Sequence, residues 1–412
     1  MIMRNLRVTF TARYTKDAAF ALFGAAVGFL ALGHDSPSAL AFTALFPVGW
    51  IMARGRLQAF MFAFSYYATA ARGVPLGAAI FFGEGAGLSA GVAMWLFSSL
   101  CLAAPWTALY YGGKKPHICA ARYLCALVCV TVPPVGIIGW ASPLYAAGVL
   151  LPRSGWLGIA AFGLLLPLLF ARLRAARKRT GAAAVVSVFV CAALFACFAE
   201  SETKLPQGWI AVDTYFGKLD RNENLHRQSL LRAASITKKV VSAPPDVRYI
   251  LLPETITGAW FGASEELWGP VRRYLALKGQ TVVVGAEIYD ASLRYDNALI
   301  FLGDDGGFYY CQRIPVPVSM WVPFGGRGTA KSHLFDNGII RLKNGESVLC
   351  LLCYEQFLAW PVLYSIALAR PDMIAASANL WWGGGSITKI RRQAVTAWAL
   401  LFDLPVASAS NN

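Results

Sequence analysis

The 412-residue chain is short of charge: 14% of its residues are Asp, Glu, Lys or Arg, against about 25% in an average soluble domain. That excludes a charge-covered globule along the whole length. It also excludes a disordered chain, which pairs high net charge with low hydrophobicity. Acidic residues are scarcest in the first half, where residues 1–200 hold four (Asp17, Asp35, Glu84, Glu200) beside 16 Lys and Arg. Histidine is rare too, with four residues at 34, 117, 226 and 333. None is spaced from another as metal ligands are, so no metal or other cofactor is expected, and His226 and His333 read as helix or surface residues. A phosphate loop is missing, since Gly383-Gly384-Gly385 is not followed by Lys-Ser/Thr. The nine cysteines make no disulfide framework. Six (101, 119, 125, 129, 191, 197) lie in or beside apolar runs, which leaves Cys311, Cys350 and Cys353. In an oxidising compartment an odd number leaves at least one thiol free.

What is present in quantity is apolar sequence, at 57%. Seven apolar runs, uncharged except for Arg122, fill the first 200 residues, at about 18–33, 37–53, 57–71, 87–111, 118–140, 155–171 and 182–199. Crossing a bilayer takes roughly 20 apolar residues, so these predict about seven transmembrane helices; the short 74–82 stretch reads as re-entrant or loop. If the runs alternate in direction, 14 of the 16 basic residues fall on one side: Arg4, Arg7, Arg13 and Lys16; Arg54 and Arg56; Lys114, Lys115 and Arg122; and Arg172, Arg174, Arg177, Lys178 and Arg179. Only Arg72 and Arg153 fall on the other. Basic residues stay cytoplasmic, so the N-terminus is inside and residues beyond about 200 are outside. In a bacterium this describes a multi-pass inner-membrane protein with a periplasmic C-terminal domain. The net charge of +15 therefore reports topology, and no direct nucleic-acid partner is expected.

Residues 201–412 hold 21 basic and 18 acidic residues, the balance of an ordinary globular domain. Short apolar strands (209–215, 248–253, 281–289, 295–302, 308–314, 339–342, 347–353, 372–376, 406–408) alternate with amphipathic helical patterns (222–242, 264–277, 357–369, 388–401). That alternation predicts a layered α/β domain. Glu254 follows the buried-strand pattern ILLP, at the strand end where such folds place their sites. A carboxylate at an apolar rim has a raised pKa and suits a general base. Cys353 closes SVLCLLC at a strand–turn–helix junction, where a helix N-terminus favours the thiolate and supplies N–H groups for an oxyanion. Cys350 and Cys353 are not a redox pair, because strand residues three apart face opposite ways. Trp381-Trp382 reads either as core or as a pocket wall.

The order Pro253-Glu254, Tyr295-Asp296-Asn297-Ala298-Leu299, Cys353-Tyr354-Glu355, Asn379-Leu380-Trp381-Trp382-Gly383 and Ser410-Asn411-Asn412 resembles the nitrilase (carbon-nitrogen hydrolase) superfamily. After seven membrane runs it is similar to the apolipoprotein N-acyltransferases. The stretch Gln312 to Trp321 (QRIPVPVSMW) is similar to a plasmid conjugal-transfer branch related to them. The resemblance implies an α-β-β-α sandwich after the membrane domain and a Glu–Lys–Cys triad. Glu254 would be the base, Cys353 the nucleophile and Glu355 a supporting carboxylate, with Tyr354, Trp381 and Trp382 toward substrate. It further implies an acyl-enzyme thioester drawn from a phospholipid or another ester or amide, a lipoprotein or pilus acceptor, and other conjugation proteins as partners. The family's lysine is missing. Its position falls on Gln312 if Tyr310 anchors the match, or on Val318 if Val322-Pro323-Phe324-Gly325 does. Arg313 is the nearest cation; it can stabilise an oxyanion but cannot shuttle a proton. The alternative implied is a catalytically degenerate domain serving as a structural component of the transfer apparatus. The transferases also continue past their matching asparagine, so an exposed sheet edge or open pocket wall is expected near Asn412.

Overall fold

The computed structural model describes residues 2–83, 87–176, 179–198, 203–218 and 224–412. Glu84, Arg177, Lys178 and Glu200 lie outside these, as do the side chains of Arg4, Arg7, Arg13, Arg179, Cys197 and His226. Two compact units emerge: Met1–Glu202 with Gly383–Asp403, and Thr203–Trp382 with Leu404–Asn412. The sequence places the break near 200 and keeps 383–403 in the second domain. The structure instead groups the helix Gly384–Phe402 with the first unit. The physical reason is its packing against the helix Tyr145–Leu150 and the 3-10 turn Pro37–Ala44, with Tyr145 and Trp398 edge to face at 5.5 Å.

The first unit is helical. Its helices include Ile2–Ala31, Leu45–Met52, Arg56–Ala70, Gly87–Ala108, Pro116–Thr131 and Arg179–Phe198. The stretch read as re-entrant or loop forms a helix, Val74–Phe82, because nine apolar residues beginning Val-Pro carry nothing that breaks a helix after its first turn. Among the described residues, two stretches, Gly87–Ala108 and Trp156–Ala175, are long and apolar enough to cross a membrane. Only 28% and 39% of them is buried in the protein, and Leu22, Phe97, Leu157 and Leu165 are among the large apolar side chains turned outward. Inside, Trp50, Trp106, Tyr67 and Tyr123 interlock, with the Trp106 Nε1 donating to Tyr67 at 3.0 Å. Arg174 donates to the carbonyls of Ile51 (2.7 Å), Tyr111 (3.0 Å) and Gly113 (2.9 Å), joining the C-terminal turn of Leu45–Met52 to the loop that follows Gly87–Ala108.

The second unit holds two sheets. One runs β1 (Trp209–Ala211), β2 (Tyr249–Leu251), β3 (Thr281–Tyr289), β4 (Tyr295–Gly303), β5 (Tyr309–Cys311); the other runs β6 (Ile339–Arg341), β7 (Ser347–Leu352), β8 (Met373–Asn379), β9 (Val406–Asn411). β1, β2 and β3 are parallel, as are β7, β8 and β9. Strand alternation divides their side chains. Leu251, Val283, Leu299 and Phe301 meet Val348, Cys350, Leu352 and Ala375 in a core between the sheets. Ile250, Val282, Val284 and Ile300 face the helices Leu225–Val241 and Gly262–Leu277. The helix Ala359–Leu368 packs on β7. The unit is thus layered helix, sheet, sheet, helix. Near Asn412 the edge strand β9 is partly capped: Thr214 N donates to the Ser410 carbonyl and Asn412 N to the Thr214 carbonyl, each at 2.9 Å. The expected open edge is closed there by residues from the other end of the domain.

Candidate active site

Parallel strands bring their C-terminal ends to one rim, and the chemistry gathers there. After β2 the chain continues through Leu252-Pro253 into Glu254, with Thr255 in the left-handed region at φ 46°. This turn lies so close to β3 that a Cβ on Gly285 would stand 2.3 Å from the Pro253 oxygen and 2.6 Å from the Glu254 Cα. Cys353 ends β7 with φ 49° and opens the 3-10 turn Cys353–Phe357. A non-glycine residue held at positive φ is strained, and here it aims the thiol off the strand end. The two side chains meet: the Cys353 thiol lies within hydrogen-bonding reach of the Glu254 carboxylate, and the backbone N–H groups of Asn379 and Tyr354 lie near the sulfur. Both residues are buried, at 3% and 4% exposure.

Burial pushes the Glu254 carboxyl up to about 7, partly offset by hydrogen bonds from Cys353, Asn297 and Asn379. Burial likewise pushes the Cys353 thiol well above its ordinary value, and the neighbouring Glu254 charge adds to this. The helix-start argument predicts the opposite for Cys353. It fails because desolvation and a facing carboxylate outweigh one short turn. The resting pair is therefore a thiol beside a carboxylate whose proton affinity is near neutral.

Four further residues complete the cluster. Asn297 Nδ2 donates to Glu254 Oε1 at 2.6 Å and to Gln312 Oε1 at 2.8 Å, and Gln312 Nε2 donates to the Leu352 carbonyl at 3.0 Å. The Leu352 carbonyl can only accept, so Gln312 must present its oxygen to Asn297, and Asn297 must present its NH2 to Glu254. Gln312, one of the two positions for the family's lysine, thus stands in the cluster as a neutral amide. Asn379 N donates to Glu254 Oε2 at 2.8 Å, and Asn411 Nδ2 holds the Asn379 side chain at 2.9 Å. The sequence pattern contains Asn297, Asn379 and Asn411 in its matched blocks without assigning them to the site. The available signal was alternation, which turns Asn297 to the same side as Leu299 and Phe301.

Arg313 is placed elsewhere. It is 1% exposed, and its guanidinium donates to Tyr310 (3.0 Å), the Pro361 carbonyl (3.0 Å) and Ser365 (2.6 Å), with Glu355 Oε1 at 3.5 Å. The expectation of an oxyanion-stabilising cation is corrected: directly after β5 it is Gln312, not Arg313, whose side chain joins the cluster, through Asn297. Gly338 leaves room for the guanidinium, since a Cβ there would stand 2.4 Å from Arg313 Cζ. Glu355 accepts from the N–H groups of Arg313 (2.5 Å), Ile314 (3.3 Å) and Leu352 (2.9 Å) and from the Tyr310 hydroxyl (2.8 Å). It fixes the backbone on both sides of the cluster and is a positioning residue. Tyr354 is buried, its ring 6.2 Å from that of Phe357. Trp381 and Trp382 are half-buried, and the Lys218 ammonium lies 5.1 Å above the Trp381 ring. A surface hollow of about 550 Å3, lined by Gln207, Arg248, Tyr249, Glu346 and Asp372 among others, lies at the opposite strand ends and contains neither Glu254 nor Cys353. His333 is neither a helix residue nor a bare surface one: it sits on the 312–338 loop with Nε2 2.7 Å from Asp296 Oδ1.

No protein-family model matches the chain. The chain is 37% identical over 384 residues to "Probable conjugal transfer protein TraB" of Sinorhizobium fredii, covering 91% of this chain and 92% of that protein. It is 34% identical over 432 residues to "Conjugal transfer protein TraB" of Agrobacterium fabrum, covering 97% and 95%. Among solved structures, an amidase from Nesterenkonia sp. is 12% identical, over 49% of this chain and 75% of that one, with a TM-score of 0.37. A CN-hydrolase superfamily protein from Xanthomonas campestris is 14% identical, over 49% and 73%, with a TM-score of 0.31.

Proposed function

Because the chain belongs to the family of conjugal transfer protein TraB, we propose that it is a membrane-embedded component of a plasmid conjugation system whose outer domain is a cysteine acyltransferase or amidase. The observation that carries this reading is the buried Glu254–Cys353 pair, thiol beside carboxylate. Glu254 takes the thiol proton as sulfur attacks a carbonyl carbon. The carbon–oxygen or carbon–nitrogen bond then breaks, the leaving group recovers that proton from Glu254, and a thioester remains. An amine of a lipoprotein or pilus protein, or water, next attacks the thioester; its proton passes through Glu254 to the departing Cys353 sulfur. The Tyr354 N–H near the sulfur is suited to the oxyanion. Tyr354, Trp381 and Trp382 form the substrate side.

The membrane reading has the first unit crossing the bilayer about seven times, with residues 203–382 and 404–412 in the periplasm. Its support is the outward apolar surface of the helices and the meeting of alternate run ends. Arg174 joins the ends at Ile51 and Gly113, while Arg72 Nη2 donates to the Leu32 carbonyl at 2.9 Å, joining the other two.

Intact-mass measurement of the purified full-length protein with phospholipid tests the chemistry. The expected result is one acyl chain added to the wild type and none to Cys353→Ala; no adduct with any ester or amide donor overturns it. A structural, non-enzymatic role is favoured by one observation, the neutral Gln312 where the family pattern has lysine. It predicts wild-type plasmid transfer from Cys353→Ala and Glu254→Gln strains, whereas the enzymatic reading predicts loss in both.

A further inference from the structure

Strand alternation that turns Asn297 and Gln312 to the inter-sheet side turns their neighbours Asp296 and Cys311 to the opposite face of the β4–β5 pair. The register confirms the placement: Ala298 lies opposite Cys311, and Ala298 shares its face with Asp296. The 312–338 loop returns over this face and sets His333 between them. A histidine nitrogen, a cysteine sulfur and a carboxylate oxygen, from Asp296, Cys311 and His333, then lie within 4.8 Å of one another. We propose that these three residues bind a divalent transition-metal ion of the zinc class, which clips the 312–338 loop to the sheet.

The donor set fits that class. Imidazole, thiolate and carboxylate are the ligands zinc takes, and three protein ligands with one open position is a recurring arrangement. Zn–S near 2.3 Å and Zn–N near 2.0 Å put tetrahedral ligand atoms roughly 3.5 Å apart, so the existing spacing needs shifts of only about an ångström. His333 Nε2 and Asp296 Oδ1, now 2.7 Å apart, would open around the ion, which replaces the proton they share. Asp336 Oδ2 stands 3.5 Å from His333 Nδ1, on the side where a carboxylate orients a metal-bound imidazole. Lys331 Nζ holds the other Asp296 oxygen at 2.6 Å and lies 3.6 Å from Asp290. It leaves Oδ1 free for the ion. Binding releases the thiol proton and the proton held between His333 and Asp296.

The test is zinc content and cobalt spectroscopy on the purified full-length protein in detergent, after dialysis against chelator and re-addition of one metal. We expect one equivalent of zinc, and with cobalt(II) a thiolate-to-metal charge-transfer band. That band should vanish in Cys311→Ser and His333→Ala and persist in Cys350→Ser and Cys353→Ala. Trypsin cleavage at Arg327 and Lys331 should slow at least severalfold with metal in the wild type and not in Cys311→Ser. Zinc at background level in the wild type overturns the proposal, as does a cobalt band that survives Cys311→Ser or disappears with Cys353→Ala. Because Cys353→Ala keeps the metal site but removes the nucleophile, failure here is separable from failure of the acyl-enzyme reading.

Discussion

At the scale of single residues, the deciding quantity is the proton affinity of Glu254. Its carboxyl moves from the ordinary 4.5 to about 7 because burial disfavours the charge. Only the ionised form can accept the thiol proton, so acylation should rise about tenfold per pH unit up to 7 and level off above; a stopped pH series of adduct formation measures this. Gln312→Lys would set a cation beside the Asn297 amide. An opposite charge within several ångströms lowers a carboxyl by about 1–3 units, so the midpoint should move acidward by at least one; an unmoved midpoint would separate Gln312 from Glu254. Stability runs the other way. The folded carboxyl holds its proton more tightly than the unfolded one, so its contribution is fully present below 4.5 and lost as pH rises to about 7. The change is about 3 kcal/mol at most. Thermal unfolding should show that slope in the wild type and lack it in Glu254→Gln.

At the scale of elements, two contacts hold the turns that carry Glu254 and Cys353. Gly285 on β3 admits the Pro253–Glu254 turn at a distance no side chain permits. Gly285→Ala should displace Glu254, costing about 1–3 kcal/mol by overpacking and lowering acylation more than it lowers expression. Glu355 anchors the other turn. Glu355→Ala removes the acceptor from three backbone N–H groups and leaves the buried Arg313 charge with neutral partners only, Tyr310, the Pro361 carbonyl and Ser365. Losing one partner of a buried ion pair costs about 3–5 kcal/mol, so the unfolding midpoint in detergent should fall sharply while Glu355→Gln loses less. Both elements were partly legible in the sequence. The apolar run through Leu352 announces β7, and β3 appears over the full 281–289 by its valines. The partner of Glu355 was not legible, because Arg313 lies 42 residues away and reads alone as a surface charge.

At the scale of the whole molecule, the proposed topology makes a labelling prediction. Cysteine placed at Phe324, fully exposed in the second unit, should under that topology react in intact cells with a thiol reagent that passes the outer but not the inner membrane. Cysteine placed at Lys114 should not. The reverse pattern would invert the topology. Composition alone divides the chain near residue 200, since the scarcity of acidic residues ends there. It does not foresee that Gly384–Phe402 joins the first unit, because an amphipathic pattern states that a face is buried without stating against what.

The sequence by itself determined the kind of elements, their order, the apolar half and the two strand ends where Glu254 and Cys353 stand. These follow from local periodicity and composition, which act within a few residues. The tertiary structure alone decided that Gln312 rather than Arg313 reaches the Glu254 cluster, that the Cys353 thiol is held protonated, and that Asp296, Cys311 and His333 converge. Each of those depends on which strand lies beside which, and on the desolvation that follows, and neither quantity is carried by residues adjacent in the chain.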